Sequence, residues 1–286
     1  MNERNEQTAL FIDEIEAVCA QHKVAKLIDA TYGEGGHGMY FAQKGLVVLG
    51  IEWDTEMFAR GKAILQETTL TGSVQLVHAN FKDCAEVVEK ASFGRADAVV
   101  IDLGLSLRQL RHSGRGFTVK GDEPLDLRID KEQGITAADV INGNSKEDLY
   151  ELFTKNIEDI ATVRFVDALV HERFHSKIST VGALKKIIAT LNMSDKEQTN
   201  FLRKVLQGLR IIVNGEVENV KGILSSLSNV LKTGGIVFIV TFYSTEDRLV
   251  KLFFKGNSEF EMLGKPSKNT QFSFAKGAKL RIYKKL

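Results

Sequence analysis

The sequence predicts an α/β protein: a Rossmann-like sheet that is interrupted by a helical insertion. Three features carry that prediction. Residues 24–54 run as an apolar strand (Val24–Ile28), the acid Asp29, a glycine-rich loop, a helix, and a second apolar strand ending in Glu52. Short apolar runs of this kind are strands covered on both faces, and the helices between them make parallel crossovers. Strand and helix alternate as far as Asp102, after which helical periodicity takes over; strand patterning returns only at Gly235–Thr241 and Lys279–Tyr283. A sheet that breaks off and resumes is one α/β domain carrying an insertion.

A helix over Thr8–Ala20 precedes the first strand. Asp54 is placed to N-cap a helix reaching about Gln66, because its carboxylate can accept from the first free backbone amides. Ser73–Val77 has strand character, His78-Ala79-Asn80-Phe81 is a loop, and a helix follows to about Lys90. Ala98–Ile101 is the next strand and ends in Asp102. The insertion, 109–213, begins as a glycine-spotted loop and continues through helical segments Lys146–Phe153, Ile157–Arg173, Thr180–Leu191 and Lys196–Val213. Residues 1–108 and 214–286 then form the sheet domain. Ligands of open α/β sheets bind beyond the carboxyl ends of the strands. The insertion leaves from that edge and is expected to overhang whatever binds there. Pro124 and Pro266, the only prolines, are expected at special turns.

With 286 residues, 43% hydrophobic and 26% charged, the composition is that of a globular protein. A net charge of +1 excludes a uniformly basic surface, so any nucleic-acid contact must be a local patch. Cys19 and Cys84 are too few for a disulfide framework or a four-thiolate metal site. No apolar run approaches the roughly 20 residues of a membrane span, and Met1–Gln7 has neither signal-peptide nor transit-peptide character. A cytoplasmic location with no membrane partner is expected. The basic run Lys276, Lys279, Arg281, Lys284 and Lys285 is assigned to a solvated last strand and tail.

Gly33, Gly35 and Gly38 match the dinucleotide spacing, with Glu52 about 20 residues beyond the strand where a ribose-binding acid belongs. The neighbouring acids point away from a dinucleotide. Asp29 would repel a pyrophosphate but can hold a sulfonium or ammonium group, and Asp102 adds another carboxylate at the same edge. Three acids suit a cationic, phosphate-free cofactor such as S-adenosyl-L-methionine, which favours a methyltransferase over a dinucleotide-dependent dehydrogenase. His37, inside the glycine loop, belongs beside the cofactor.

Arg108, Arg111, Arg115 and Arg128 crowd the stretch 108–128 together with Phe117. Arginines with an aromatic ring suit phosphate contacts and base stacking; the structural alternative is a solvated loop in which Arg128 pairs with Asp126 or Asp130. Phe242 and Tyr243 follow a strand at the ligand edge, where Tyr243 can stack on an unstacked base, while Asp247 or Arg248 is assigned to capping the next helix. His171-Glu172-Arg173-Phe174-His175 matches the H-E-x-x-H zinc pattern, but no histidine follows to complete a ligand set, so no metal is expected.

Taken together these residues resemble the bacterial small-subunit ribosomal RNA methyltransferase H family, also called MraW. The likeness spans nearly the whole chain. It runs through Ile12-Asp13-Glu14, Asp29-Ala30-Thr31, Gly35-Gly36-His37, Asp102-Leu103-Gly104, Gln109-Leu110, Arg115-Gly116-Phe117 and Pro124-Leu125-Asp126-Leu127-Arg128. It continues through Ala137-Ala138-Asp139, Leu209-Arg210-Ile211, Val213-Asn214, Glu216, Ser244, Glu246-Asp247-Arg248 and Ala278-Lys279-Leu280-Arg281. The resemblance implies a class I methyltransferase sheet with a helical substrate domain, and methylation of the exocyclic N4 of a cytidine in 16S-type ribosomal RNA. It also implies that Gly35, Gly36 and His37 line the methionine end of the cofactor, Glu52 holds the ribose, Phe81 packs by the adenine, and Asp102 and Gln109 close the pocket at the transferred methyl. Asp102 is the expected catalytic residue. Ser106, Arg108, Arg115, Phe117, Phe242 and Tyr243 are expected to meet substrate. Expected partners are small-subunit ribosomal RNA or the assembling subunit, and a second copy in a homodimer.

The departures from the family pattern lie on the substrate side. Ser106-Leu107-Arg108-Gln109 stands where the family has Ser-Ser-Pro-Gln, Tyr243 stands in place of a histidine, and Asn200 begins the segment that is His-Pro-x-x-Arg elsewhere. They motivate an alternative reading: a paralogue with weakened turnover that serves as an RNA-binding ribosome-assembly factor, or one that methylates a different RNA position.

Overall fold

The computed structural model describes residues 9–132, 134–157, 161–269 and 275–286, without the side chain of Asn156. The chain divides into two compact units, residues 1–104 with 217–286, and residues 105–216. The division falls a few residues outside the 109–213 read from the sequence.

The first unit is built on a sheet whose strands are β1 (Lys26–Asp29), β2 (Val47–Glu52), β3 (Ser73–His78), β4 (Ala96–Asp102), β5 (Leu231–Thr241), β6 (Phe260–Met262), β7 (Ser267–Lys268) and β8 (Lys279–Lys285). Their order is β3-β2-β1-β4-β5-β8-β6, with β7 also on β8. The first five pair in parallel, and β8 runs antiparallel to β5. The chain reverses direction in strand order beside β1 and β4, so the carboxyl ends of β1, β2 and β4 meet at one edge.

The helices of this unit are α1 (Ile12–Gln21), α2 (Gly36–Gln43), α3 (Thr55–Glu67), α4 (Cys84–Lys90), α11 (Glu216–Val230) and α12 (Ser244–Lys255). Alternate strand residues point to opposite faces, and both faces are dry. Ile28, Leu49, Ile51, Val99, Ile101, Val237 and Ile239 pack with α4, α11 and α12. Leu27, Val48, Ala98, Val100, Ile236, Phe238 and Val240 pack with α1 and α2. That is why β1, β2 and β4 are continuous apolar runs rather than alternating ones. Each such buried side chain contributes about 1.5–3 kcal/mol. The edge strand β3 is only half covered.

The second unit contains α5 (Leu107–His112), α6 (Ala137–Gly143), α7 (Lys146–Asn156), α8 (Thr162–Arg173), α9 (Val181–Ala189) and α10 (Asp195–Asn214). Its core centres on Phe153, Phe165 and Phe201, stacked edge to face with centroids 5.4 Å apart in each pair. Serine or threonine caps open α6, α7 and α10 as capping boxes: Thr136 with Asp139, Ser145 with Asp148, and Ser194 with Glu197. The irregular stretch before α6 is held by α10, where Asn214 accepts from the Ile129 amide at 2.7 Å and donates to the Leu127 carbonyl at 2.8 Å. Leu127 sits at φ 59°, a left-handed conformation that a branched residue adopts only when its surroundings impose it. Arg210 grips Glu216 with two hydrogen bonds, 2.6 and 2.9 Å.

Several local expectations are revised. The first helix begins at Ile12, after Phe11 in a left-handed conformation, and Thr8 lies outside the described residues. The helix expected from Ile157 begins at Thr162, with 158–160 outside the described residues. The helices α6 and α11 were not anticipated, although Val220, Ile223, Leu224, Leu227 and Val230 carry a helical period onto the sheet. Pro124 forms an isolated bridge with Thr180, and Pro266 immediately precedes β7. Among the described residues no helix is long and apolar enough to cross a membrane.

Candidate active site

The carboxyl edge of the sheet gathers Asp29, Glu52 and Asp102 at the ends of β1, β2 and β4. Asp29 and Glu52 accept from backbone amides of the glycine loop, and Asp102 is joined to it through the Thr31 hydroxyl. Asp29 is 1% exposed; its carboxylate accepts from the Gly38 amide at 2.8 Å and the Thr31 amide at 3.3 Å. Glu52 accepts from Gly33 at 2.6 Å and from Asp54 at 2.7 Å. Asp54 then caps α3 by accepting from Glu56 and Met57, as its position in the sequence indicates. The Asp102 amide donates to Thr31 Oγ1 at 2.8 Å.

Of the three acids only Asp102 keeps an unused oxygen. Its Oδ1 is buried and has no hydrogen-bond partner, while Oδ2 lies 4.0 Å from His37 Nδ1. The other ring nitrogen, His37 Nε2, is 2.9 Å from the Leu10 carbonyl. A carbonyl only accepts, so Nε2 carries the proton and Nδ1 is the face presented to Asp102. Beyond β4, Phe242 packs within 3.2 Å of where a Cβ on Gly104 would sit, and Gly104 at φ 111° is a position for glycine. Glu246 accepts from the Phe242 and Tyr243 amides at 2.9 and 3.1 Å, which fixes the turn into α12. Tyr243 is 36% exposed. Phe81 lies in a short helical turn and packs on the sheet core with Val77 and Ala79.

The glycines of the loop serve a second purpose that spacing did not reveal. Tyr32 is 2% exposed. A Cβ added at Gly35, Gly38 or Gly50 would fall 2.8, 2.6 or 2.5 Å from it, and one at Gly61 3.2 Å away. These residues form a socket for the Tyr32 ring, which sets the height of the loop above the sheet. Gly35, at φ 92°, is the N-cap of α2, and Gly36 and His37 form its first turn.

In the second unit, Ser106 and Gln109 form a capping box at the start of α5: the Ser106 amide donates to Gln109 Oε1 at 2.9 Å and the Gln109 amide to Ser106 Oγ at 3.1 Å. Gln109 is thus engaged in local structure. Arg108 lies half-buried in α5. Two of the residues expected to meet substrate are buried. Arg115 is 1% exposed and donates from Nη1 to the carbonyls of Ile129 and Arg128 at 2.5 and 3.3 Å. Phe117 is 9% exposed and belongs to the helical core. The loop folds inward around the arginine, whose guanidinium bonds the loop's own carbonyls. Arg128 pairs with Asp126 through two hydrogen bonds, 2.7 and 2.9 Å. Asp247 does not cap α12; it accepts from Arg281 at 2.7 Å and Lys279 at 3.2 Å, tying the helix to β8. The helix carrying His171 ends at Arg173, before His175, and the two rings lie 5.0 Å apart. Among the described residues no group of three or more potential ligands could hold a metal ion.

Burial dominates the electrostatics. It pushes the carboxyls of Asp29 and Glu52 up to about 7 against the opposing pull of their amide donors. Burial likewise raises Asp102 to about 6; His37 opposes this, while Asp29 and Glu246 add to it. An acid raised in the folded state binds more protons folded than unfolded, so these groups stabilise the chain at low pH and that stability is lost as pH rises toward 6–7. A bound cation favours the ionised carboxylates and is expected to release protons, with affinity rising across the same window. Calorimetry at about pH 6.5 in buffers of different ionisation enthalpy tests this, since proton release makes the observed heat depend on the buffer. Equal heats in all buffers would refute it.

A mostly parallel sheet with this strand order, an antiparallel β8, and acids ending three strands beside a glycine loop defines the S-adenosylmethionine-dependent methyltransferase class. The comparisons are more particular. The model of the MraW methylase family matches residues 5–283. The ribosomal RNA small subunit methyltransferase H of Thermosipho africanus is 33% identical over 267 residues, which is 91% of this chain and 90% of the relative. That of Methylocella silvestris is 35% identical over 247 residues, 86% and 70% of the respective chains. The chain belongs to the MraW methylase family, whose cofactor is S-adenosyl-L-methionine.

The residues present fit that cofactor. Asp102 has a buried oxygen with no partner, the loop amides are already ordered by Asp29 and Glu52, and the acids supply counter-charge for a cation. Asp29, Glu52, His37 and Asp102 are the groups that this edge would offer it. Thr31, Tyr32 and Asp54 were missed as its supports, although each lies within or beside the strand–loop–strand unit.

Proposed function

We propose that the protein methylates the exocyclic N4 of a cytidine in small-subunit ribosomal RNA. The observation that carries the chemistry is the unpartnered Asp102 Oδ1 beside His37 at the sheet edge. The substrate follows from the relatives, which are ribosomal RNA small subunit methyltransferases. The cytoplasm, where small subunits assemble, is the corresponding location.

An exocyclic amine is a weak nucleophile because its lone pair is delocalised into the ring, so alignment is the main task. The cofactor supplies an electrophilic methyl group. Asp102 accepts an N–H from the amine and orients the remaining lone pair toward that methyl. As the N–C bond forms, the methyl–sulfur bond would break and its electron pair stay on sulfur as a neutral thioether; the nitrogen then carries one proton in excess, and Asp102 takes it with His37 behind it. Phe242 and Tyr243 offer aromatic faces to a base drawn out of its stack. Asp29 and Glu52 hold the loop and oppose the cofactor's positive charge.

The test is methylation mapping of small-subunit RNA from cells with and without the protein, paired with transfer to isolated subunits. A methylated cytidine N4 that disappears with the protein is expected. Asp102→Asn is expected to slow transfer by about 10²–10⁴-fold, the usual contribution of a positioned proton acceptor. Intact cofactor binding with no methylation of any ribosomal substrate would favour the assembly-factor reading, which the changes at Leu107, Arg108, Asn200 and Tyr243 motivate.

A further inference from the structure

The H-E-x-x-H stretch borders a cleft whose lining shares no residue with the candidate active site. Within the helical unit, a cleft of about 650 Å³ lies between the α6–α7 turn and the end of α8, lined by Asn142, Asn144, Ser145, Arg173, Phe174 and Lys177 among others. Its walls are fixed. Arg173 Nη1 donates to the Ile141 and Asn144 carbonyls at 2.7 Å each, and Asn142 donates to the Ala138 and Ile178 carbonyls at 2.7 and 2.8 Å. Asp148, in the first turn of α7, is committed to Ser145 through the capping box. No carboxylate lines the cleft among the described residues, whereas Arg173 and Lys177 do. Phe174 leaves 80% of its surface in water, more than any other large hydrophobic residue described.

We propose that this cleft is a docking subsite for single-stranded RNA, with one unpaired base stacked on Phe174 and its phosphate held by Lys177 and Arg173. The proposal rests on the reading of the chain as an RNA methyltransferase and adds a contact outside the transfer site. An exposed ring with Arg173 and Lys177 beside it matches the stacking-plus-phosphate chemistry of single-strand recognition; Asp139, which feels the Lys177 charge, is not in the lining and is held by Thr136. A protein partner would instead call for an apolar cluster with charge depleted at its centre, and Phe174 is the only apolar side chain in the lining among the described residues. A base paired in a duplex cannot offer its face, so the ligand is unpaired.

The experiment measures binding of the full-length protein to a fluorescein-labelled, unstructured oligouridine and to isolated small subunits, alongside methyl transfer. F174A is expected to weaken oligouridine binding roughly five- to hundredfold, and F174W is expected to restore it. K177A is expected to flatten the dependence of log affinity on log salt by about 0.7. Affinity for S-adenosylmethionine and the melting temperature should stay at wild-type values, because Phe174 is exposed. Wild-type RNA affinity in F174A and K177A would overturn the subsite while leaving the proposed function standing. F174A that loses subunits but keeps oligouridine would assign the cleft to a protein and overturn the proposal. Wild-type protein that neither binds RNA nor methylates subunits would overturn both readings.

Discussion

Replacing Arg115 with alanine is expected to unfold the helical unit rather than to weaken RNA binding selectively. The guanidinium lies inside the 105–216 unit, donating to the Ile129 and Arg128 carbonyls, while the Arg115 carbonyl accepts from the Leu127 amide at 2.9 Å. Removing it leaves a cavity and strips donors from buried carbonyls at the point where Leu127 is held in a left-handed conformation. Hydrogen bonds to a charged group contribute about 1.5–3 kcal/mol each, so losing both removes a large part of the stability of a domain this size. Arg115→Lys is expected to recover only a fraction of that loss, since one ammonium cannot reproduce a planar fork of donors. Urea unfolding followed by helical circular dichroism measures the loss. An Arg115→Ala variant that unfolds at the wild-type urea midpoint and binds RNA more weakly would reinstate the phosphate-contact role that the sequence suggested.

Glu52→Ala is expected to lower affinity for S-adenosylmethionine by about a hundredfold or more. Hydrogen bonds to a charged group contribute about 1.5–3 kcal/mol each, and Glu52 is proposed to make them to the ribose hydroxyls. The same carboxylate accepts from Gly33 and Asp54, so its loss also releases the glycine loop and the start of α3. Glu52→Gln preserves shape and one acceptor but turns an NH₂ toward those amide donors, so a loss of about tenfold is expected. Titration calorimetry with the cofactor and with its demethylated product reads both variants. Unchanged affinity in Glu52→Ala would remove Glu52 from the site and with it the cofactor geometry inferred from the sheet edge.

Much of the site was legible because its residues are local to strand ends. An apolar run followed by an acid and glycines marks where a parallel strand meets its loop, and Asp29, Glu52 and Asp102 all take those positions. Asp54 was legible as a cap for the same reason, since capping depends on neighbours two or three residues away. The Arg128–Asp126 pair was one of the local alternatives the sequence offered. The role of the loop glycines was only half legible. Their spacing suggested approach to a ligand, but Gly50 and Gly61 come from β2 and α3, and only folding brings them with Gly35 and Gly38 around Tyr32.

The arginine-rich stretch shows where local reasoning ends. Arg108, Arg111, Arg115 and Arg128 have the same chemistry in the sequence, and nothing near them distinguishes a phosphate ligand from a buried cross-link. The difference lies with partners brought in from elsewhere in the chain: the carbonyls of residues 128 and 129 turn inward, and Asn214, distant in sequence, pins Leu127 and Ile129. The sequence by itself determined the α/β class, the strand that carries each acid and the chemistry that the acids favour, because hydrophobic periodicity and caps are properties of neighbouring residues. The tertiary structure decided which charges are buried, which glycines seat Tyr32 and which aromatic ring, Phe174, stays in water. Those outcomes depend on which distant backbone groups are left to be satisfied once the chain has closed on itself.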